Sequence, residues 1–371
     1  MKGEILTKKK ILFGITSCTF GGAERVLIDV CNQLCEKYDI TIFTIYAKGE
    51  MEPEIDPRIT LKSLYPFCYA EMPKWKKILL PISLFLRKSS IYRKKIKGDY
   101  ETEIAFLEGP ITNLFSVKNF KTKKIAWIHN DISKVFGKGF KAKIKQFLNR
   151  KTYQKYQELV FVSQDNLEKF EEMYVISTPK QVIYNYIDSE KVIEKAKHIS
   201  EYLKKDCPIL VSVCRLVEQK AIERLIKVHS QLIKEGKRHK IYVIGDGPLK
   251  QELQEQIKQE EVENTFILLG KKANPYPYVK QADAFCLFSY YEGYPMVVEE
   301  AKILNQFICV TDTAVREVLR DYSRKMIVEN TEDGIKEGIK QFVENKEKYI
   351  EQDIEFHYSN EEILERIKRI F

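Results

Sequence analysis

The sequence predicts an α/β protein built from two doubly wound parallel sheets. Three observations predict it. The 371 residues exceed one ordinary core and suit two domains of roughly 150 to 200 residues each. The chain opens with a short apolar run at 11–16, a loop holding Gly21 and Gly22, and a helical pattern of Val26, Leu27, Val30, Leu34 and Cys35. An alternating strand at 40–45 follows. That strand–glycine loop–helix–strand order begins a parallel sheet. The same alternation then restarts after residue 206.

Each element follows in order. Apolar strands are expected at 102–107, 124–129 and 159–163. Their C-terminal loops carry Glu108-Gly109-Pro110, His129-Asn130-Asp131 and Ser163-Gln164-Asp165. In open α/β sheets ligands bind outside such strand ends. A strand and turn at 181–188 closes the first domain, 1–188. A polar, lysine-rich stretch, 189–206, reads as a linker. In the second domain, 207–350, strands are expected at 209–213, 240–244, 266–269, 284–288, 307–311 and 326–328. Helices are expected at 221–235, 249–258, 278–281, 314–319 and 333–343. The last segment, 351–371, reads as a helix able to cross back to the first domain.

Composition narrows the function classes. A chain 44% hydrophobic and 31% charged fits a soluble globular protein. No stretch reaches the ~18 to 20 apolar residues that span a bilayer. The N-terminal MKGEILTKKK lacks a signal-peptide core. The eight cysteines are scattered without a C-x-x-C pair, so reduced core thiols in the cytoplasm are expected. Charge is uneven. Residues 74–155 hold 21 Lys and Arg against 5 Asp and Glu, a net of +16, so the remainder carries −7 of the total +9. Such a stretch predicts an acidic partner: an anionic membrane surface, a polyanionic acceptor or nucleic acid. Nucleic acid is disfavoured, because no zinc pattern or aromatic RNA-binding signature accompanies the charge. Within it, residues 75–97 mix an apolar segment with flanking Lys and Arg. Two readings compete: a core-packed helix pair, or an interfacial membrane-contact segment. Pro81 and Ser83 argue against one continuous spanning helix.

The chemistry concentrates at 289–301, SYYEGYPMVVEEA. Pro295 suits the first position of a helix. The amides of Met296, Val297 and Val298 would then lack intrahelical partners and form an anion site. Glu292, beside Gly293, and Glu300 bracket that site. A ligand with phosphate in its middle and hydroxyls at both ends fits, which describes a nucleotide sugar. Glu300 is an acceptor able to hold two ribose hydroxyls, Glu292 an acceptor for sugar hydroxyls. Glu299 is excluded by spacing alone. Arg215 and Lys220, five apart after a strand end, could neutralise a diphosphate without a metal. Gly21 and Gly22 permit close backbone approach, or simply a tight turn. His129 is either a satisfied core histidine or a site residue. Glu108 and Asp131 are acceptor-side candidates. Gly245-Asp246-Gly247 is a weak signal, and Asn185 reads as structural.

These motifs resemble the retaining, family 4 (group 1) glycosyltransferases. Glu292-Gly293 and Glu300-Ala301 match the family's E-x7-E. Arg215, Leu216 and Lys220 fall in register with G-R-L-x-x-x-K-G. The GDGP turn resembles G-x-G-P, and VIYNYID, with Asn185 and Asp188, resembles the interdomain strand. GGAERVL and WIHND resemble the glycine loop and the histidine segment. Five places depart: Ala221 and Tyr186 replace glycines, Asn305-Gln306-Phe307 replaces G-x-P, Thr313-Ala314 replaces a Gly pair, and Glu317 follows Asp312 one residue sooner than usual. The resemblance implies a GT-B fold, two Rossmann-like domains facing across a cleft. It implies glycosyl transfer from a nucleoside diphosphate sugar, UDP favoured, with retention. His129, Arg215, Lys220 and Glu292 would be catalytic. Gly21, Gly22, Gly245, Gly293, Met296, Val297 and Glu300 would join Arg215, Lys220 and Glu292 in binding the donor. Neither a cofactor nor a metal is expected. The acceptor would be a saccharide, lipid-linked, at the inner face of the cell membrane. A nucleotide-sugar 2-epimerase of the same fold, or a non-catalytic partner of a transferase, are the alternatives.

Overall fold

In the computed structural model, the structure describes residues 8–69, 71–132, 140–350, 358 and 360–371. They form two compact units, Met1–Ile187 with Asn360–Phe371, and Asp188–Ser359. In chain order the first holds β1 (Lys10–Ile15), α1 (Gly22–Leu34), β2 (Asp39–Tyr46), β3 (Thr60–Tyr65), α2 (Lys74–Lys95), β4 (Thr102–Ala105), α3 (Pro110–Phe115), β5 (Lys123–Ile128), α4 (Phe140–Tyr153), β6 (Glu158–Phe161), α5 (Gln164–Met173) and β7 (Lys180–Val182). The second holds α6 (Ser189–Lys197), β8 (Ile209–Val213), α7 (Ile222–Lys234), β9 (Lys240–Ile244), α8 (Lys250–Gln259), β10 (Phe266–Gly270), α9 (Tyr276–Gln281), β11 (Ala284–Leu287), α10 (Met296–Ile303), β12 (Ile308–Thr311), α11 (Val315–Val318), β13 (Lys325–Val328), α12 (Glu332–Glu344) and α13 (Lys346–Ile350). The last helix, α14 (Glu361–Lys368), belongs to the first unit.

Both sheets are parallel. Their orders are β3-β2-β1-β4-β5-β6-β7 and β10-β9-β8-β11-β12-β13. Strand order reverses between β1 and β4 in the first, and between β8 and β11 in the second. Those reversals are the switch points where doubly wound sheets place ligands. The central strands are apolar on both faces because helices cover both. Leu12, Phe43, Ala105, Ala126 and Phe161 form the middle of the first core.

Helix α2 corrects one expectation. It is a single helix of 22 residues running through Pro81, not a helix pair. An internal proline costs about 3 kcal/mol. Tertiary packing outweighs it here: Leu84 and Tyr92 are buried in the core. The Tyr92 hydroxyl donates to Glu103 at 2.5 Å, and Lys124 Nζ donates to Glu103 at 2.7 Å and to the Phe115 carbonyl at 2.9 Å. A fully buried ion pair with satisfied remaining groups ties the helix to β4 and β5.

Helix α14 docks on the first sheet. Arg366 donates to the Val182 carbonyl, and Lys123 Nζ to that of Ile370 at 2.8 Å. Phe371 stands edge-on to Phe13 at 6.1 Å and Tyr38 at 5.3 Å. Residues 351–357 and 359 of the segment read as a C-terminal helix lie outside the described residues. Within 189–206, the stretch read as a linker, α6 is capped by Asp188, which accepts from the Lys191 amide at 3.0 Å.

The second core contains a chain of polar side chains. His239 Nδ1 lies 2.7 Å from the Lys237 carbonyl, which can only accept. His239 Nε2 therefore accepts from His229 Nδ1 at 2.9 Å, and His229 Nε2 accepts from the Thr265 hydroxyl at 2.9 Å. Both rings are neutral in this arrangement. Burial pushes His229 down to about 2 and His239 to about 4.

Candidate functional site

In the second unit two loops meet at the β8/β11 switch point. One follows β8 and carries Arg215 and Lys220. The other follows β11 and carries Glu292 and Gly293. The fold brings Lys220 Nζ to 2.6 Å from Glu292 Oε1, across 72 residues of sequence. Glu292 is buried and Lys220 half-buried. Arg215 is exposed, and its guanidinium has no hydrogen-bond or ion-pair partner among the described residues. The sequence reading placed both cations on the ligand and both acids on hydroxyls. The structure adds that Lys220 also positions Glu292.

Backbone geometry explains why these loops hold still. Gly245 has φ +149, and a Cβ there would sit 1.8 Å from the Cys214 carbonyl oxygen. A Cβ on Gly247 would sit 2.3 Å from that of Leu216. The GDG turn thus packs directly under Arg215, and Gly245 is accounted for by that packing. Ala221 takes a left-handed φ of 51 before α7, the conformation for which glycine is the default residue. Asn305, at φ 54, ends α10 in the same way, with Gln306 N–H on the Ala301 carbonyl at 3.0 Å. Asparagine tolerates that region better than most residues.

Four residues that sequence reasoning missed lace the loops together. Gln219 accepts from the Tyr290 amide at 2.9 Å through its backbone carbonyl and donates to the Tyr291 carbonyl at 2.9 Å. Arg224, buried on α7, donates to the Phe288 carbonyl and to Asn330 Oδ1, both at 2.7 Å, and lies 4.4 Å from the Tyr290 ring centroid. Asn330 donates to the Tyr290 carbonyl at 2.9 Å. Tyr276 donates to Glu300 Oε1 at 2.9 Å. Only Arg224 left a trace in the sequence, as a charge on the apolar face of an otherwise amphipathic helix.

The start of α10 corrects a second expectation. Pro295 is the N-cap, with extended backbone at φ −74, ψ 100, and Met296 is the first helical residue. The Val298 amide is taken by the Pro295 carbonyl at 3.0 Å. The amides left at the helix end are therefore those of Met296 and Val297. Farther along, Glu299 and Glu300 separate by environment. Glu299 is buried, accepts from the Tyr294 hydroxyl at 2.6 Å and pairs with Lys302 at 3.0 Å. Glu300 is half-buried and held by Tyr276.

In the first unit the β1/β4 switch point carries the glycine loop and the Glu108 loop. Gly21 caps α1 with extended backbone at φ −169, and Gly22 opens the helix. The Glu24 carboxylate occupies the space a Gly21 side chain would take. Glu108 accepts from the amides of His129 and Asn130, the latter at 2.6 Å, and from Asn130 Nδ2 at 3.0 Å. Its carboxylate therefore shapes the loop after β5, and burial raises its pKa from the usual range. The His129 ring lies tilted against Phe106, 4.7 Å between ring centroids. Its Nε2 is buried without a hydrogen-bond partner among the described residues, and burial lowers the ring to about 3. A buried ring nitrogen left open at a strand end is a place for a ligand group. Asp131 pairs with Lys169 at 3.3 Å. Asn185 is buried, as its structural reading expects.

Comparison with known proteins follows the same lines. Residues 194–354 match the family described as glycosyl transferases group 1. The chain is 28% identical over 344 residues, 91% of each chain, to the N-acetylgalactosamine-N,N'-diacetylbacillosaminyl-diphospho-undecaprenol 4-alpha-N-acetylgalactosaminyltransferase of Campylobacter jejuni. It is 26% identical over 310 residues to an uncharacterised glycosyltransferase of Methanocaldococcus jannaschii, covering 79% of this chain and 73% of that one. Among solved structures it is similar to Anabaena HepE in complex with UDP and glucose. The TM-score is 0.72 at 14% identity, over 97% of this chain and 98% of that one. The chain thus has the two parallel Rossmann-like sheets of the GT-B fold, and its residues 194–354 are similar to the group 1 glycosyltransferases.

Proposed function

We propose that this protein moves a hexosyl or N-acetylhexosaminyl group from a UDP-sugar to a lipid-linked saccharide, with retention, in bacterial cell-surface polysaccharide synthesis. The observation that carries the reading is the Lys220–Glu292 ion pair at the second switch point, beside an unpaired Arg215 and the open end of α10. Cations and helix amides there suit a diphosphate, and acids beside them suit hydroxyls. Two relatives support the donor and acceptor. HepE was solved with UDP and glucose, and the Campylobacter enzyme is named for transfer to a diphospho-undecaprenol-linked saccharide.

In the reaction the anomeric carbon loses its bond to the diphosphate and gains one to an acceptor hydroxyl. The acceptor proton leaves with the diphosphate. Arg215, Lys220 and the amides of Met296 and Val297 stabilise the charge growing on the leaving group. Glu292 accepts from hydroxyls of the transferred sugar. Glu300, fixed by Tyr276, accepts from the ribose. His129 is neutral at pH 7 and offers Nε2 to the sugar, not a nucleophile. Gly21, Gly22 and Gly293 let backbone approach the donor. Asp131 is assigned to the acceptor, with Glu108 as its positioning neighbour.

No helix among the described residues is long and apolar enough to cross a membrane. Helix α2 instead has an outward row of Trp75, Leu79, Ile82 and Leu86, from 53% to 75% exposed and spaced 4, 3 and 4 apart. Lys76, Arg87 and Lys94 flank it. That pattern supports peripheral contact with an anionic membrane face. The deciding experiment offers the protein a panel of nucleoside diphosphates and nucleotide sugars, with and without lipid-linked acceptor. UDP should raise the melting temperature more than GDP or ADP, and turnover should require acceptor. Conversion of a UDP-sugar with no acceptor present would replace transfer with epimerisation.

A further inference from the structure

The first unit has a cavity of about 510 Å³ that the transfer reaction does not use. It is lined by Lys88 and Arg93 from α2, Lys118 and Asn119 from the turn after α3, and Lys155 from the turn before β6. These turns lead into β5 and β6, so the cavity lies at the N-terminal edge of the sheet. His129, Glu108 and the glycine loop lie at the C-terminal edge. Strands of four to six residues separate the two edges by roughly 13 to 20 Å.

The lining has one sign of charge. It contains four cations and no carboxylate. None of the four has an ion-pair partner among the described residues. Lys88 Nζ finds only neutral acceptors, Ser116 Oγ at 3.1 Å and Asn113 Oδ1 at 3.4 Å. The acid behind the cavity, Glu103, is already neutralised by Lys124 and Tyr92. Other cations of this unit do have carboxylate partners: Lys123 with Glu158, Lys169 with Asp165, Arg25 with Glu54. Lys88 is half-buried, and burial followed by the charge of Lys155 lowers its pKa. Four cations gathered around one concavity repel one another unless an anion joins them.

We infer that this cavity, walled by Lys88, Arg93, Lys118 and Lys155, binds a phosphate-bearing anion, at a site separate from the one that handles the donor. Asn119 and Ser89 supply neutral donors beside the cations. The volume accommodates a phosphate or diphosphate group with its near substituents. The phosphate comes either from a soluble phosphate compound or from a lipid headgroup, and the chemistry at the wall is the same for both.

The test uses the full chain and two charge-matched variants. One is Lys118→Gln with Lys155→Gln, both exposed and in the wall. The other is Lys97→Gln with Lys121→Gln, both exposed and outside it. Equal unfolding midpoints establish that both fold. Calorimetric titration with pyrophosphate reports the soluble arm, and the charge match cancels pyrophosphate bound elsewhere. Sedimentation with phosphatidylglycerol vesicles reports the lipid arm. The wall variant should weaken one of the two by on the order of tenfold against the control variant. A loss in the pyrophosphate arm assigns a soluble phosphate, and a loss confined to vesicles assigns a headgroup. Identical behaviour of the two variants in both arms overturns the inference.

Discussion

The two switch points have the same topology and opposite electrostatics. At β8/β11 the loops carry charge: an open arginine, a lysine on a buried glutamate and a second acid on the helix that follows. At β1/β4 and the neighbouring β5 end the charge is spent internally. Glu108 is consumed by backbone amides, and His129 is held neutral with one nitrogen open. The difference teaches that one fold can present charged side chains at one switch point and neutral polar groups at the equivalent position of the other. Only the loop chemistry changes. It also separates two kinds of glutamate. Under the proposed function Glu292 and Glu300 serve the donor, whereas Glu108 and Glu299 hold protein groups.

The strongest way to break this contrast is to remove the charge. Arg215→Ala or Lys220→Ala should each lower kcat by at least ~10²-fold, the scale for one preorganised charge-stabilising donor. Steady-state transfer assays read this, and full activity in both would end the assignment. Arg224→Ala tests whether the charged loops depend on their brace. It strips the Phe288 carbonyl and Asn330 of their donor and should cost about 2 to 3 kcal/mol in urea unfolding. An unchanged midpoint would show that the loops hold without it.

Acid sharpens the comparison in another way. His129, His229 and His239 all have folded pKa values below the ordinary 6.5 of the unfolded chain. Above pH 6.5 they are neutral in both states and take nothing from stability. Below it the unfolded chain binds protons that the folded chain refuses. Stability should therefore fall from about pH 6.5 towards pH 4, by on the order of 2 kcal/mol per histidine at pH 5. The second unit holds two of the three and should lose more. Histidine-to-asparagine variants at 229 and 239 with an unaltered acid profile would count against this. The smallest effect distinguishes adjacent acids. Glu300→Gln should raise the donor KM about tenfold with little change in Tm, about one lost charged hydrogen bond. Glu299→Gln should lower Tm and leave KM alone. The reverse result would exchange their roles.

Much of the second unit was legible because its strands are short apolar runs stopped by polar or glycine-rich loops. All six expected strand regions contain one. The positions of Arg215, Lys220, Glu292 and Glu300 at strand ends or on the helix that follows were legible too, but the Lys220–Glu292 contact was not. What the sequence hid has identifiable causes. Strand β3 lies at a sheet edge with no buried residue, so it lacks an apolar signature. Helix α2 survives its proline because tertiary packing outweighs propensity. The Val298 amide was misassigned because one tight turn at Pro295 claims it. Arg224 and Tyr276 act on residues 64 and 24 positions away, a distance no local pattern encodes.

Helix α14 has a consequence for how the molecule is made. Residues 360–371 are synthesised after the whole second unit, yet their aromatic and cationic contacts are with the first sheet. A ribosome emitting residues at ~5 to 20 per second would release the first unit incomplete for roughly 10 to 40 seconds. During that interval the surface around Phe13 and Tyr38, later covered by Phe371, is open to any other apolar chain segment. The second unit matures first as a finished body, and the first closes only when the last turn of helix arrives.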